Sequence, residues 1–204
     1  MPVKSLSKRI RGLRCKGASK GVIAQTVDFI LSRRTKNRLA FIRPFVTGNV
    51  LDLGCSVGSV SCVLLREGLD VRSVDVEDVS IYEDIKVDVY DGTTLKYKDK
   101  EFESCLLTHV LHHCGNQIAV LKEAQRVSKR IIIIEDVYRN GFERFLVYTN
   151  DILGNFGDAG GSYRTEKEWE EAFESLGLKV LEKKVFLGFP FPPLYCRYSA
   201  YVLE

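Results

Sequence analysis

The sequence lacks the long apolar runs and the paired cysteines that mark membrane proteins and zinc ribbons. No run approaches the ~20 apolar residues that a membrane helix needs, so we expect no membrane span. Six cysteines are present, but no two of them have Cys-x-x-Cys spacing. The absence of this spacing argues against a zinc ribbon or a thioredoxin-like site. Such a cysteine pattern suits a reducing compartment, and we expect a cytoplasmic protein.

Acidic residues are almost absent from the first 43 residues. This stretch holds twelve Lys and Arg and one acid, Asp28, whereas the rest of the chain holds 18 basic and 26 acidic residues. A basic arm of net charge +11 on a body of −8 suggests an anionic partner, or an arm that folds back on its own body. A solvated helix face and an organelle transit peptide have a similar composition and stay as alternatives.

The order of apolar and turn segments predicts an α/β protein. Residues 1–45 are predicted to form a basic N-terminal arm and helical cap, with apolar stripes over 22–31 and 35–45, and residues 46–204 the main domain. A helix is predicted to begin at Thr165, which forms a capping box with Glu168. The proline-rich segment 186–195 is predicted to be a loop. Other helices are predicted at 59–68 and 117–127, and strands at 50–53, 71–74, 85–89, 104–108, 130–135, 179–186 and 194–203.

A glycine turn follows the first predicted strand, in residues 49–58 (NVLDLGCSVG). Gly54 and Gly58 let the backbone approach a ligand, and the helix start near Ser59 offers unpaired N–H groups to a carboxylate. Asp52 could accept hydrogen bonds from the turn or attract a ligand ammonium. Ser56 and Ser59 occupy the second and third glycine positions of the dinucleotide fingerprint, which argues against a pyrophosphate-binding nicotinamide enzyme.

Carboxylates end the next two predicted strands. Asp75 lies about twenty residues after the turn, where an acid commonly accepts hydrogen bonds from ribose hydroxyls. Asp91 can accept from an adenine amino group, and the Gly92 N–H can face a ring nitrogen. These residues therefore predict a nucleoside site at the carboxyl ends of parallel strands.

Together these segments resemble the class I S-adenosylmethionine-dependent methyltransferases, most closely the branch with a Leu-His-His segment after the fourth strand. The resemblance rests on residues 50–58, Asp75, Asp91-Gly92 and residues 102–113, and it covers roughly residues 49–137. It implies a Rossmann-like, seven-stranded, mostly parallel sheet with helices on both faces and the last strand antiparallel. Ser56 replaces a glycine of the family, a change that should be tolerated unless this residue needs a positive φ.

The resemblance also implies the cofactor, S-adenosyl-L-methionine, and the residues that bind it. Three histidines, His109, His112 and His113, are candidate bases, and His113 matches the recurrent histidine of the family. We expect His113 and Asp136 to be the catalytic residues. We expect no metal, because the spacing of the histidines and Cys114 is poor for ligation. The expected cofactor-binding residues are Asp52, Gly54, Cys55, Ser56, Gly58, Asp75, Val76, Asp91, Gly92 and Thr108.

The leading hypothesis for function is methyl transfer to a small-molecule substrate. One alternative is a methyltransferase of RNA or protein that uses the basic arm, and another is a non-catalytic S-adenosylmethionine-binding module. The acidic body and the absence of an Asn/Asp-Pro-Pro-aromatic signature argue against nucleic acid. Oligomeric state is not indicated. Aromatic residues that could line an acceptor pocket are Tyr138, Phe142, Phe145, Tyr148, Phe156, Tyr163, Phe189 and Phe191.

Overall fold

A computed structural model of the protein describes residues 32–33, 35–154, 160–191 and 194–204. Short 3-10 turns span Arg43–Phe45 and Leu111–His113. The helices are α1 (Ser59–Arg66), α2 (Gln117–Val127), α3 (Gly141–Gly154) and α4 (Glu166–Ser175). The strands are β1 (Asn49–Leu53), β2 (Asp70–Asp75), β3 (Val87–Val89), β4 (Phe102–Thr108), β5 (Ser128–Val137), β6 (Val180–Phe191) and β7 (Leu194–Leu203).

The described strands form one seven-stranded sheet in the order β3-β2-β1-β4-β5-β7-β6. Strands β1 to β5 pair in parallel, and β7 pairs antiparallel with both β5 and β6. The predicted fold class is therefore confirmed, including the antiparallel last strand. Because the parallel strands run the same way, the carboxyl ends of β1, β2, β4 and β5 meet at one edge of the sheet, where the candidate site residues lie.

Apolar cores cover both faces of the sheet, which explains why residues 131–134 of β5 are apolar without alternation. On one face Trp169 and Phe173 of α4 pack with residues of α2 and with Ile131. On the other face Val63 of α1 packs with Ile132. Successive residues of a strand point to opposite faces, so the side chains of Glu135 and Asp136 at the end of β5 lie on opposite faces of the sheet.

The segment before β1 packs on the α1 face. Residues 35–39 are helical, and Leu39, Ile42 and Val46 are buried in the same core as Val63. The predicted helical piece at 35–45 thus forms a short helix followed by the Arg43–Phe45 turn. The basic arm and the apolar stripe at 22–31 lie outside the described residues, so the domain boundary at residue 45 stays a prediction.

Two elements differ from the predictions. Strand β6 continues to Phe191 through the segment predicted as a loop, because it pairs with β7 at the sheet edge, where a proline such as Pro190 is tolerated. Helix α3 was not predicted. The capping box of α4 is confirmed, since the Thr165 hydroxyl accepts from Glu168 N and the Glu168 carboxylate accepts from Thr165 N.

Candidate functional site

The glycine turn between β1 and α1 is pressed against the loop that follows β4. Gly54 has φ +80°, and a Cβ at this position would lie 2.2 Å from Cγ2 of Val110. Only glycine fits, both for space and for backbone conformation. The contact places the loop after β4 directly beside the turn that the sequence predicted to hold the cofactor.

Ser56 has a φ of 48°, in the left-handed region that costs most L-residues roughly 1 kcal/mol or more. We expected serine to be tolerated here unless the residue needs a positive φ. Because the φ of Ser56 is positive, the serine adopts a strained backbone conformation. The backbone N–H of Ser56 donates to Oδ2 of Asp75 at 2.7 Å. The strained residue thus joins the turn after β1 to the carboxylate at the end of β2.

The Asp75 carboxylate is held by backbone groups. Oδ2 accepts from Ser56 N and Oδ1 accepts from Val76 N, both at 2.7 Å, and Glu77 contributes a third backbone hydrogen bond. Burial raises the pKa of Asp75, and these N–H donors oppose the rise. A carboxylate fixed in this way at the end of β2 is oriented to accept from ligand hydroxyls.

The ends of β2 and β3 come together around Val76. A Cβ at Gly92 would lie 3.4 Å from Cγ1 of Val76, and the Val76 side chain is 50% exposed. Asp91 Oδ1 accepts from Thr93 N and Thr94 N, and these backbone bonds lower the pKa of Asp91. The turn thus presents an apolar surface beside a carboxylate, which fits a nucleobase with an amino group.

Asp52 and Cys55 lie beneath the turn rather than on its surface. The Asp52 carboxylate is buried and accepts from the Ser61 hydroxyl at 2.6 Å, and Ser61 accepts in turn from Ser73 at 2.7 Å. Burial raises the pKa of Asp52 to about 6 and also raises the pKa of the Cys55 thiol. We infer that Asp52 supports the start of α1 instead of contacting a ligand ammonium.

Unpartnered polar groups face the same edge of the sheet. Helix α1 begins after Gly58, which has no side chain to cap it, and the buried Asp52 carboxylate accepts from Ser61 N in the first turn. Its first N–H groups, which begin at Ser59, have no partner inside the helix and favour an anionic ligand. Within the described part of the chain, the buried Oγ1 of Thr108, at the end of β4, also has no hydrogen-bond partner.

A histidine–aspartate pair lies at the carboxyl ends of β4 and β5. Nδ1 of His109 lies 3.0 Å from Oδ2 of Asp136, and the buried Nε2 has no partner among the described groups. His109 has φ +52° and packs edge-on against Tyr198. Burial disfavours ionisation of Asp136, but the His109 ring, together with Arg38, lowers its pKa below the ordinary value.

His112 belongs to a separate network with Glu135. Its Nδ1 lies 2.6 Å from Oε2 of Glu135, whose Oε1 accepts from Val110 N and Leu111 N at 2.8 and 2.6 Å. Both side chains are buried. Burial opposes protonation of His112, but the carboxylates of Glu135 and Asp151 outweigh it and raise the pKa well above the ordinary value.

The structure groups the histidines differently from the sequence-based expectation. Asp136 pairs with His109, whereas Nε2 of His113 lies 3.7 Å from Oδ1 of Asp151. Sequence reasoning missed Glu135 as the partner of His112, although strand alternation separates it from Asp136. It placed Asp151 in an insertion that commonly contacts substrate in such enzymes, but it did not predict the approach of Asp151 to the histidines, because α3 was not predicted and no local pattern links it to β4.

A cavity of about 340 Å³ opens beside α3. Phe145, Tyr148 and Tyr163, from the aromatic set singled out in the sequence, line it together with Arg144. Tyr163 stacks on the His112 ring with centroids 5.2 Å apart. Phe156, Phe189 and Phe191 are not among the described side chains.

No helix within the described ranges is both long enough and apolar enough to cross a membrane.

A family model described as a methyltransferase domain matches residues 25–183. No curated protein sequence matches the chain.

Solved structures with a similar fold include proteins described as S-adenosylmethionine-dependent methyltransferases. One, from Methanosarcina mazei, has a TM-score of 0.64 and 15% identity, covering 80% of this chain and 95% of that one. Another, from Thermotoga maritima and described as a possible histamine N-methyltransferase, has a TM-score of 0.65 and 15% identity, with coverages of 91% and 97%. A third, from Archaeoglobus fulgidus, has a TM-score of 0.66 and 14% identity, with coverages of 84% and 93%. At these identities the likeness establishes the fold.

Proposed function

The chain belongs to the methyltransferase-domain family, and on this premise we propose that it methylates a small-molecule acceptor with His109 as the general base. It is an S-adenosylmethionine-dependent methyltransferase, with S-adenosyl-L-methionine as its cofactor. The acceptor class and the roles of individual residues are the proposal. One observation carries it: the His109–Asp136 pair lies at the sheet edge where the cofactor residues converge.

The residues at this edge fit the cofactor. We expect the Asp75 carboxylate at the end of β2 to accept from the ribose hydroxyls, and the first N–H groups of α1 suit the amino-acid carboxylate. Val76 and Gly92 offer a surface for adenine. The Asp91 carboxylate accepts from two backbone N–H groups of its turn and is exposed to solvent, and we expect it to accept from the adenine amino group as well.

His109 is oriented to accept a proton at Nε2. Because an ionised carboxylate only accepts hydrogen bonds, the short contact with Asp136 places the hydrogen of a neutral imidazole on Nδ1. The lone pair is then on Nε2, the atom without a partner. The adjacent Val110 contacts Gly54, which ties this imidazole to the cofactor turn. A positive φ at such a residue is typical of functional sites.

Bound S-adenosylmethionine supplies a methyl group that is already electrophilic. His109 Nε2 accepts the proton that the acceptor atom loses as its new bond to the methyl carbon forms and the carbon–sulfur bond breaks. Asp136 stabilises the resulting imidazolium. A hydroxyl or carbon acid needs this assistance more than a neutral amine does.

Two observations favour a small acceptor over a nucleic acid. The cavity lined by Phe145, Tyr148 and Tyr163 has the volume of a small-molecule site, for which about 300 Å³ is the lower end. The body outside the first 43 residues is acidic, with 26 acids against 18 basic residues, and such a surface repels a phosphate backbone.

The experiment is methyl transfer from labelled S-adenosylmethionine to a panel of small alcohols, phenols and amines, with RNA and protein as separate acceptors. We expect a labelled small product, and His109→Ala should lower turnover by about 10²- to 10⁴-fold while affinity for S-adenosylhomocysteine is unchanged. Added imidazole should restore part of the activity, which a structural role would not allow.

His113→Ala is the matched control, because His113 lies in the same loop and its Nε2 lies 3.7 Å from Oδ1 of Asp151, whereas Asp136 pairs with His109. If this variant loses activity and His109→Ala does not, the base role returns to His113. Labelling confined to RNA or protein would contradict the proposed acceptor class. Binding of the cofactor without any transfer would favour a non-catalytic module.

A further inference from the structure

Three side chains from two elements, the Leu111–His113 turn after β4 and helix α3, converge at one point. The potential ligand atoms of His112, His113 and Asp151 all lie within 4.8 Å of one another. Nε2 of His112 and Nε2 of His113 each lie 3.7 Å from Oδ1 of Asp151. His112 and Asp151 are nearly enclosed, whereas a third of the His113 side chain is exposed.

We propose that this cluster binds one divalent transition-metal ion, with the two Nε2 atoms and Asp151 Oδ1 as ligands. Zinc bound tetrahedrally at about 2.0–2.2 Å from nitrogen and oxygen places neighbouring ligand atoms roughly 3.4 Å apart. The two Nε2–Oδ1 separations of 3.7 Å exceed this by a few tenths of an ångström, and all ligand atoms lie within 4.8 Å of one another.

The atoms behind His112 are arranged as in metal sites. Nδ1 of His112 lies 2.6 Å from Oε2 of Glu135, so Nδ1 keeps its hydrogen, and an ion that displaces the proton from Nε2 meets its lone pair at the cluster. A carboxylate behind a ligating histidine fixes the tautomer and the ring orientation. Glu135 is itself held by two backbone N–H groups, which keeps this support rigid.

The carboxylate of Asp151 is also oriented for ligation. Its Oδ2 accepts from the Tyr163 hydroxyl and from Gly160 N, while Oδ1 faces both histidines. Gly160 is needed for close approach, because a Cβ there would lie 2.5 Å from Cδ2 of His112. Oδ2 therefore holds the carboxylate in place, and Oδ1 is directed at the two histidines.

The donor set selects the class of ion. Two imidazoles and one carboxylate suit zinc, iron, cobalt or nickel, whereas calcium and magnesium prefer oxygen ligands. Three protein ligands leave a coordination position for water or another small ligand. The sequence-based expectation of no metal considered only the histidines and Cys114, and it could not include Asp151, which α3 supplies.

The experiment is a titration of the chelator-treated full chain with Zn²⁺, followed by calorimetry and thermal unfolding. We expect one ion per chain, and at a hundredfold excess over Kd a rise in Tm of about 6 °C, because the ion ties the loop after β4 to α3. Co²⁺ should give a spectrum without thiolate charge transfer. This test needs no acceptor or cofactor, so it is independent of the proposed methyl transfer.

Variants separate ligation from folding. His113→Ala and Asp151→Asn should each weaken Zn²⁺ binding by about 100-fold or more. His113→Ala should unfold at the wild-type temperature when chelator is present, because its side chain is partly exposed. His109→Ala, in the same loop but outside the cluster, should bind Zn²⁺ like the wild type. Absence of binding, binding that these variants do not change, or a thiolate spectrum would overturn the proposal.

Discussion

Replacing Asp75 by Asn tests how the end of β2 holds the cofactor. The wild-type carboxylate accepts from Ser56 N and Val76 N at 2.7 Å, and from a third backbone group at Glu77. We expect the two ribose hydroxyls to donate to this carboxylate as well. The Asn amide has the same shape, but it carries no charge, and an NH₂ group, which donates, replaces one of the two accepting oxygens.

The magnitude follows from the bonds that are lost. A hydrogen bond to a charged group contributes about 1.5–3 kcal/mol, so two such bonds amount to about 3 kcal/mol or more. This corresponds to a loss of about 100-fold or more in affinity for S-adenosylhomocysteine. The amide also turns an NH₂ group towards Ser56 N or Val76 N, which costs about 1–3 kcal/mol of stability. The fold should survive this cost.

The assay is calorimetric titration with S-adenosylhomocysteine, with thermal unfolding to verify that the variant is folded. Asp70→Asn is the matched control, because Asp70 is an exposed residue at the opposite end of the same strand. It should leave affinity unchanged. If folded Asp75→Asn binds as tightly as Asp70→Asn, the assignment of Asp75 to the cofactor is refuted.

Further predictions concern the turn itself. Ser56→Gly should raise the free energy of unfolding by about 1 kcal/mol, or about 2 °C in Tm, because it relieves the strain of a positive φ. The control Ser59→Gly should lower the free energy of unfolding, because glycine is unfavourable inside helix α1. Asp52 has a folded-state pKa of about 6, above the unfolded value of about 3.9. Stability should therefore fall by up to about 3 kcal/mol as pH rises from about 4 to 6, a loss that Asp52→Asn removes. Urea unfolding across this range tests it, and a pH-independent difference between the two proteins would contradict it.

The fold was largely predictable because its signals are local. Alternation of apolar runs and glycine turns located β1, α1, α2 and β7, and the capping box located the start of α4. Helix α3 was missed because its aromatic residues, such as Phe142 and Phe145, remain exposed instead of forming a buried stripe. The extent of β6 was missed because pairing with β7 outweighs the local preference of Pro190 for a loop.

The site was predictable only in part, for a similar reason. Motif order located Asp75 and Gly92, which lie next to their own strands. The pairing of histidines with carboxylates depends on which face of β5 each acid occupies and on a helix distant in sequence. Glu135 and Asp136 are adjacent in sequence but bind different histidines, His112 and His109. Composition and spacing do not carry that information.

The most direct measurement of the central claim is a crystal structure of the full chain with S-adenosylhomocysteine. We predict ribose hydroxyls on the Asp75 carboxylate, the base against Val76 and Gly92, and the amino-acid carboxylate at the start of α1. The sulfur atom should point towards the His109 side. A ligand bound away from the glycine turn, or no binding at saturating concentration, would contradict the account.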